Sequence, residues 1–120
     1  MAELNIQGTS RTFEEKVARL KPEAKEALAQ IQAALLAKKK VNERVSKKYA
    51  TYNRGRAQIA RVSIIATSLR VHLALDPKAY TDKTWIKDLS AKSVYKKVPA
   101  MVRISSPLAL RRVLALIEAL

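Results

Sequence analysis

The chain contains no cysteine. That excludes disulfides, thiolate metal sites and a cysteine nucleophile, and it fits a reducing cytoplasm. A single histidine, His72, excludes any multi-histidine metal site. Only two glycines are present, Gly8 and Gly55, too few for a glycine-rich phosphate loop. Aromatic residues make up 5%, which argues against a multi-ring stacking platform. No apolar run approaches the roughly 18 residues of a membrane helix. The opening MAELNIQGTSRTFEE has neither an apolar h-region nor an early basic run, so no signal peptide is expected. These absences predict a cytoplasmic protein with no cofactor and no membrane association.

Acidic residues are the other shortage. Lys and Arg total 24 against 10 Asp and Glu, a net charge of +14. A small soluble domain usually carries a net charge of roughly 2–8 in magnitude. An excess of this size points to a polyanionic partner, most often nucleic acid. The alternative is a basic surface that serves solubility alone. The charge is also segregated. From Thr12 to Ala37 four basic residues meet four acidic ones. From Lys38 to Arg61 nine basic residues face only Glu43, and from Lys83 to Arg112 eight face only Asp88. The basic surface therefore belongs to the sheet, its turns and the C-terminal part.

At 120 residues with 48% apolar content the chain is expected to form one domain with its own core. Residues 1–11 lack periodicity and read as a flexible tail, leaving 12–120 as a single α+β domain. Thr12 and Glu15 make a T-x-x-E capping box that opens a short helix. Pro22 stops that helix and starts a second, predicted to run to about Lys38. Phe13, Val17, Leu20, Ala24, Leu28, Ile31 and Leu35 recur at steps of three and four, giving one apolar face. Lys38, Lys39 and Lys40 end the helix, where its dipole favours cations.

Val45 to Asp76 reads as three antiparallel strands. The first runs from Val45 to Tyr52. Tyr49 and Tyr52 lie on opposite faces, so at most one can be deep core. Asn53-Arg54-Gly55 is turn chemistry, with Gly55 available for φ > 0. The second strand, Arg56 to Ile65, alternates imperfectly. Ile59 and Val62 share a face only if a bulge intervenes near Ala60-Arg61. Ala66-Thr67 leads to the third strand, where Leu69, Val71, Leu73 and Leu75 point one way and Arg70, His72 and Ala74 the other. A long connection from Lys78 to Lys97 must have local structure or a function. Within it, Asp88-Leu89-Ser90 is able to cap a short helical turn. Val98 to Ile104 is a fourth strand, with Pro99 indicating an edge strand or one that joins the ladder late. Ser106 caps a final helix that begins at Pro107. The expected fold is an antiparallel four-stranded sheet with the N-terminal helices and the C-terminal helix packed on one face. The other face is expected to be partly open, with Arg61, Arg70, His72, Arg103 and one of Lys47 or Lys48 on it. The predicted core is Phe13, Val17, Leu28, Ile31, Leu35, Leu69, Val71, Leu73, Val102, Ile104, Leu110, Leu114 and Ile117.

The succession KKYATYNRGR, RVSIIATSLRVHLALDPKAY and VPAMVRISSPLALRRVLALIEAL resembles small uncharacterised bacterial α+β domains, which are also found as repeats in longer bacterial proteins. Leu73 to Pro77 (LALDP), with Lys97-Val98-Pro99 downstream, carries most of the likeness. Those domains tend to place glycine where Ala66-Thr67 stands here. The resemblance implies a fold and no activity.

No catalytic constellation is legible. A Ser-His-acid triad would need His72, which lies mid-strand with no serine set in a nucleophile turn. Asp76, Asp82 and Asp88 are strung along one connection rather than clustered. The sequence thus predicts a non-catalytic module that binds nucleic acid, DNA or structured RNA, mainly through phosphates. The candidate residues are Lys47, Lys48, Arg54, Arg56, Arg61, Arg70 and Arg103, centred on the first hairpin, with Tyr49 or Tyr52 available to stack on a base. A protein–protein interaction or scaffold module is the competing reading.

Overall fold

A computed structural model describes residues 11–65, 68–80 and 83–120. The tail expected over residues 1–11, apart from Arg11, lies outside the described residues, as do the Ala66-Thr67 turn and Asp82. Helix α1 spans Phe13–Ala18 and α2 spans Pro22–Leu36. Strands β1 (Val41–Val45), β2 (Tyr49–Arg54), β3 (Ala57–Ile65) and β4 (Ser68–Leu73) follow. The connection then carries β5 (Ile86–Asp88), and β6 (Ala100–Ile104) leads into α3 (Pro107–Glu118).

The helix starts follow their caps. Thr12 accepts from the Glu15 N–H while the Glu15 carboxylate accepts from the Thr12 N–H at 2.9 Å. That backbone donor, with the Thr12 hydroxyl, holds the Glu15 carboxyl below its ordinary pKa. Pro22 and Pro107 each open a helix, and Ser106 Oγ accepts from the Ala109 N–H at 3.2 Å. Helix α2 ends at Leu36, two residues before the expected Lys38. Its cap is Ala37, so the three lysines form the turn into β1 rather than the last helical turn. Lys40 takes the left-handed backbone there, with φ 65°.

Among the described residues the sheet has six strands, not four, in the order β1-β2-β3-β4-β6-β5. Every pairing is antiparallel. The expected first strand from Val45 to Tyr52 is two strands. Ser46 breaks it, its hydroxyl donating to the Tyr49 carbonyl at 2.8 Å, and the chain reverses through Lys47 and Lys48. β1 was not legible because only Val41 of VNERV is buried. β5 is three residues long and occupies the edge beyond β6. β6 is therefore an inner strand, and Pro99 precedes its ladder at Ala100. An edge position is thus corrected, and the late start explains how proline is accommodated.

The second hairpin turns at Gly55, with φ +62° and Arg56 outside the left-handed region, as in a type II′ turn. Beyond it the register jumps from Asn53↔Gln58 to Tyr52↔Ala60, leaving Ile59 as the extra residue of a bulge. Ile59, Ala60 and Val62 are all buried. The bulge rotates Ile59 onto the face of Val62, one residue before the expected position.

One face of the sheet meets all three helices. Ala50, Tyr52, Val62, Ile64, Leu69, Val71, Leu73 and Val102 share a cluster with Phe13, Leu28, Ile31, Leu35, Val113 and Ile117. Val17, Ile104, Leu110 and Leu114 border it half-buried. Tyr52 is the tyrosine that lies in the core, fully buried, with its hydroxyl donating to Glu43 Oε2. Burial pushes its pKa up, and the Glu43 carboxylate adds to the shift.

Candidate nucleic-acid interface

The strand registers place the remaining polar residues on the second face. One cross-strand row reads Arg44, Thr51, Arg61, His72, Met101, Lys87. The next reads Tyr49, Ser63, Arg70, Arg103. The two acidic strand residues, Glu43 and Asp88, pair with Tyr52 and Ala100, so both belong to the helix-covered face. Among the described residues the strands put no carboxylate on the second face.

Arg70 and Arg103 are direct cross-strand partners. Like charges in that arrangement repel and cost stability. Arg61 sits on the strand beside Arg70. Neighbouring strands run about 4.8 Å apart and residues rise about 3.4 Å along each, so the three side chains start within about 12 Å of one another. Arg44, Lys87 and Arg103 are exposed, while Arg61 and Arg70 are half-buried.

Part of this face is covered, which strand alternation alone does not reveal. His72 is only 1% exposed. The Tyr95 ring lies on its imidazole, with centroids 4.6 Å apart and planes 6° from parallel. Tyr95 is held in a 3-10 turn, Ser93–Tyr95, within the long connection. That connection does have local structure, as its length required. Asp88 Oδ1 accepts from the Ser90 N–H at 2.8 Å, making a side-chain turn rather than a helix cap, and the Ser90 hydroxyl together with that N–H holds the Asp88 carboxyl below its ordinary pKa. Arg61 bridges two rings, its guanidinium 4.3 Å from the Tyr49 centroid and 5.6 Å from that of Tyr95. Such contacts fix the guanidinium plane over the rings.

His72 Nε2 lies 3.2 Å from Ser63 Oγ, a serine that sequence spacing could not supply. The pair lacks the third member of a triad, because His72 Nδ1 is buried without a partner. Burial first, and then repulsion from Arg61 and Arg70, together hold the imidazole pKa down to about 4. A base that weak, under a stacked ring, is poorly placed to take a proton from serine. Among the described residues no group of His, Asp and Glu is assembled that could hold a metal ion, and no helix is long and apolar enough to cross a membrane.

Four buried side-chain nitrogens among the described residues have no hydrogen-bond partner: Gln58 Nε2, Arg61 Nε, Arg70 Nε and His72 Nδ1. The Asn53↔Gln58 and Arg61↔His72 pairings, with Arg70 opposite Ser63, put all of them on this second face. The face thus combines excess positive charge with unpaired donors.

The candidate residues divide. Arg61, Arg70 and Arg103 are brought together, and Lys47 and Lys48 lie exposed in the turn that leads to Tyr49. Arg54 and Arg56 stand at the opposite end of β2, six residues long, or roughly 17–20 Å away. Arg54 is also engaged elsewhere, since its Nη2 donates to the Leu120 carbonyl at 3.3 Å. The basic surface therefore centres on the middle of the sheet rather than on the Gly55 hairpin. Arg44, Lys87 and Tyr95 were missed because the first two sit on the unrecognised strands and the third on the connection. No protein-family model, curated protein or solved structure matches the chain.

Proposed function

We propose that this chain is a non-catalytic module that binds nucleic acid through the second face of its sheet, chiefly by phosphate contacts. The observation that carries the reading is the acid-free pairing of Arg70 with Arg103 beside Arg61. Folding has placed like charges side by side, at a cost that an anionic partner removes on binding. The unpaired guanidinium nitrogens support the same reading, since an unsatisfied buried donor costs free energy until an acceptor arrives. Phosphate oxygens are the acceptors that match arginine geometry and charge.

Binding driven by phosphates releases counterions, so affinity must fall steeply with salt. Titrating wild-type protein into labelled DNA and RNA at about 0.05 and 0.2 M salt tests this. With four to six phosphate contacts, the affinity is expected to drop by roughly a hundredfold or more between those salts. Absence of binding at the lower salt removes the reading and leaves the protein-interaction module.

A further inference from the structure

The second face carries more than charge. Tyr49, the Arg61 guanidinium, Tyr95 and His72 form a series of flat groups across neighbouring elements. Tyr49, Arg61 and Tyr95 are each half-buried, so each keeps a solvent-facing part. His72 is the buried end of the series. Only six aromatic residues occur in the chain, four of them tyrosines, and two of those tyrosines meet at this spot. Two of the cations around them, Arg61 and Arg70, are recessed, with Nε buried and unpaired, while Arg103 beside them is exposed. Among the described residues no protein acceptor meets either Nε, and the Tyr49 and Tyr95 rings hold the Arg61 guanidinium in place.

A duplex presents phosphates on a stiff cylinder and keeps its bases stacked inside. It meets projecting lysines and arginines well, but its bases reach a tyrosine only after costly unstacking. A single strand is thin and flexible and offers both phosphates and bare base faces. Grooves that bind single strands pair cations with aromatic side chains in this way. Resting on the nucleic-acid reading above, we propose that the ligand of this face is a single-stranded stretch of nucleic acid. Its bases stack on Tyr49 and Tyr95, and its backbone runs past Arg61, Arg70 and Arg103.

The decisive comparison uses the full chain and one oligonucleotide of about 16 residues, the upper end of a single small-domain site. Fluorescence polarisation would read its affinity as a free strand and as a blunt duplex, in DNA and in RNA. The free strand is expected to bind at least about tenfold more tightly, since each stacked base contributes roughly a five- to hundredfold gain. Tyr49→Leu should lose that gain for the strand and leave the salt slope unchanged, because no phosphate contact is removed. Tyr49→Phe, which keeps the ring, should restore it. Equal affinity for strand and duplex overturns the single-strand inference while leaving polyanion binding in place. So does a strand affinity indifferent to Tyr49→Leu. If neither form binds at about 0.05 M salt, both readings fail. The wild-type comparison stands by itself should the Tyr49→Leu chain not fold.

Discussion

Arg70 and Arg103 occupy positions where either neighbour would be more stable beside a neutral partner. Arg103→Thr removes the cross-strand repulsion and places a good strand former on an exposed site. Urea unfolding should show a gain of about 0.2–1 kcal/mol, while the nucleic-acid salt slope falls by about one. Stability gained at the expense of function is the expected signature of a binding residue. His72 gives a second prediction at this scale. Its folded pKa, about 4, lies below its ordinary value of 6.5. Between those values the unfolded chain binds a proton that the folded chain refuses, so stability rises with pH across that window. The contribution is complete above about pH 6.5 and is lost as pH falls towards 4. The groups facing the imidazole are Arg61, Arg70 and the Tyr95 ring. Urea midpoints at pH 7 and pH 5 should therefore differ more for the wild type than for His72→Phe. An equal difference would mean that the imidazole titrates normally in the folded chain.

The elements show which signals in the sequence were strong enough to read. Both capped helix starts, the Gly55 turn, the strand SLRVHL and the helix after Ser106 were legible, because each rests on local chemistry or on strict alternation. The bulge was legible from a conflict: Ile59 and Val62 could not otherwise share a face. β1 and β5 were not, since a short edge strand with one or no buried residue leaves no hydrophobic period to detect. Turn backbones offer a test at this scale. Gly55 and Lys40 both hold positive φ, but only Lys40 carries a Cβ there. Lys40→Gly should raise stability and Gly55→Ala should lower it, each by about 1 kcal/mol. A Cβ at Gly55 would meet nothing within 4 Å, so a loss there comes from backbone conformation alone. Thermal unfolding of the two variants beside wild type reads both signs.

For the whole molecule, what matters is where the charge lies. The N-terminal helical segment, Thr12 to Ala37, is neutral and covers part of one face of the sheet, and the excess cations fall on the strands, turns and C-terminal part. The sequence revealed the segregation and three arginines of the second face. It did not reveal their setting, because cross-strand neighbours far apart in the chain are set by register, and two strands were missing from the count. It also could not show the Tyr95 turn folding back over His72. The central claim is that binding belongs to this face and not to net charge in general. Two double reversals separate those ideas. Arg70→Glu with Arg103→Glu changes the sheet face and keeps like charges opposite each other. Lys25→Glu with Arg56→Glu changes exposed sites on α2 and the Gly55 turn. Each pair lowers the net charge from +14 to +10. Affinity for a single strand, measured at about 0.15 M salt where the Debye length is about 8 Å, should fall by at least about a hundredfold for the first pair. It should change by less than about fivefold for the second, whose charges lie on a helix and at a turn, away from Arg61, Arg70 and Arg103. Equal losses for the two pairs, in chains that fold normally, would contradict the account.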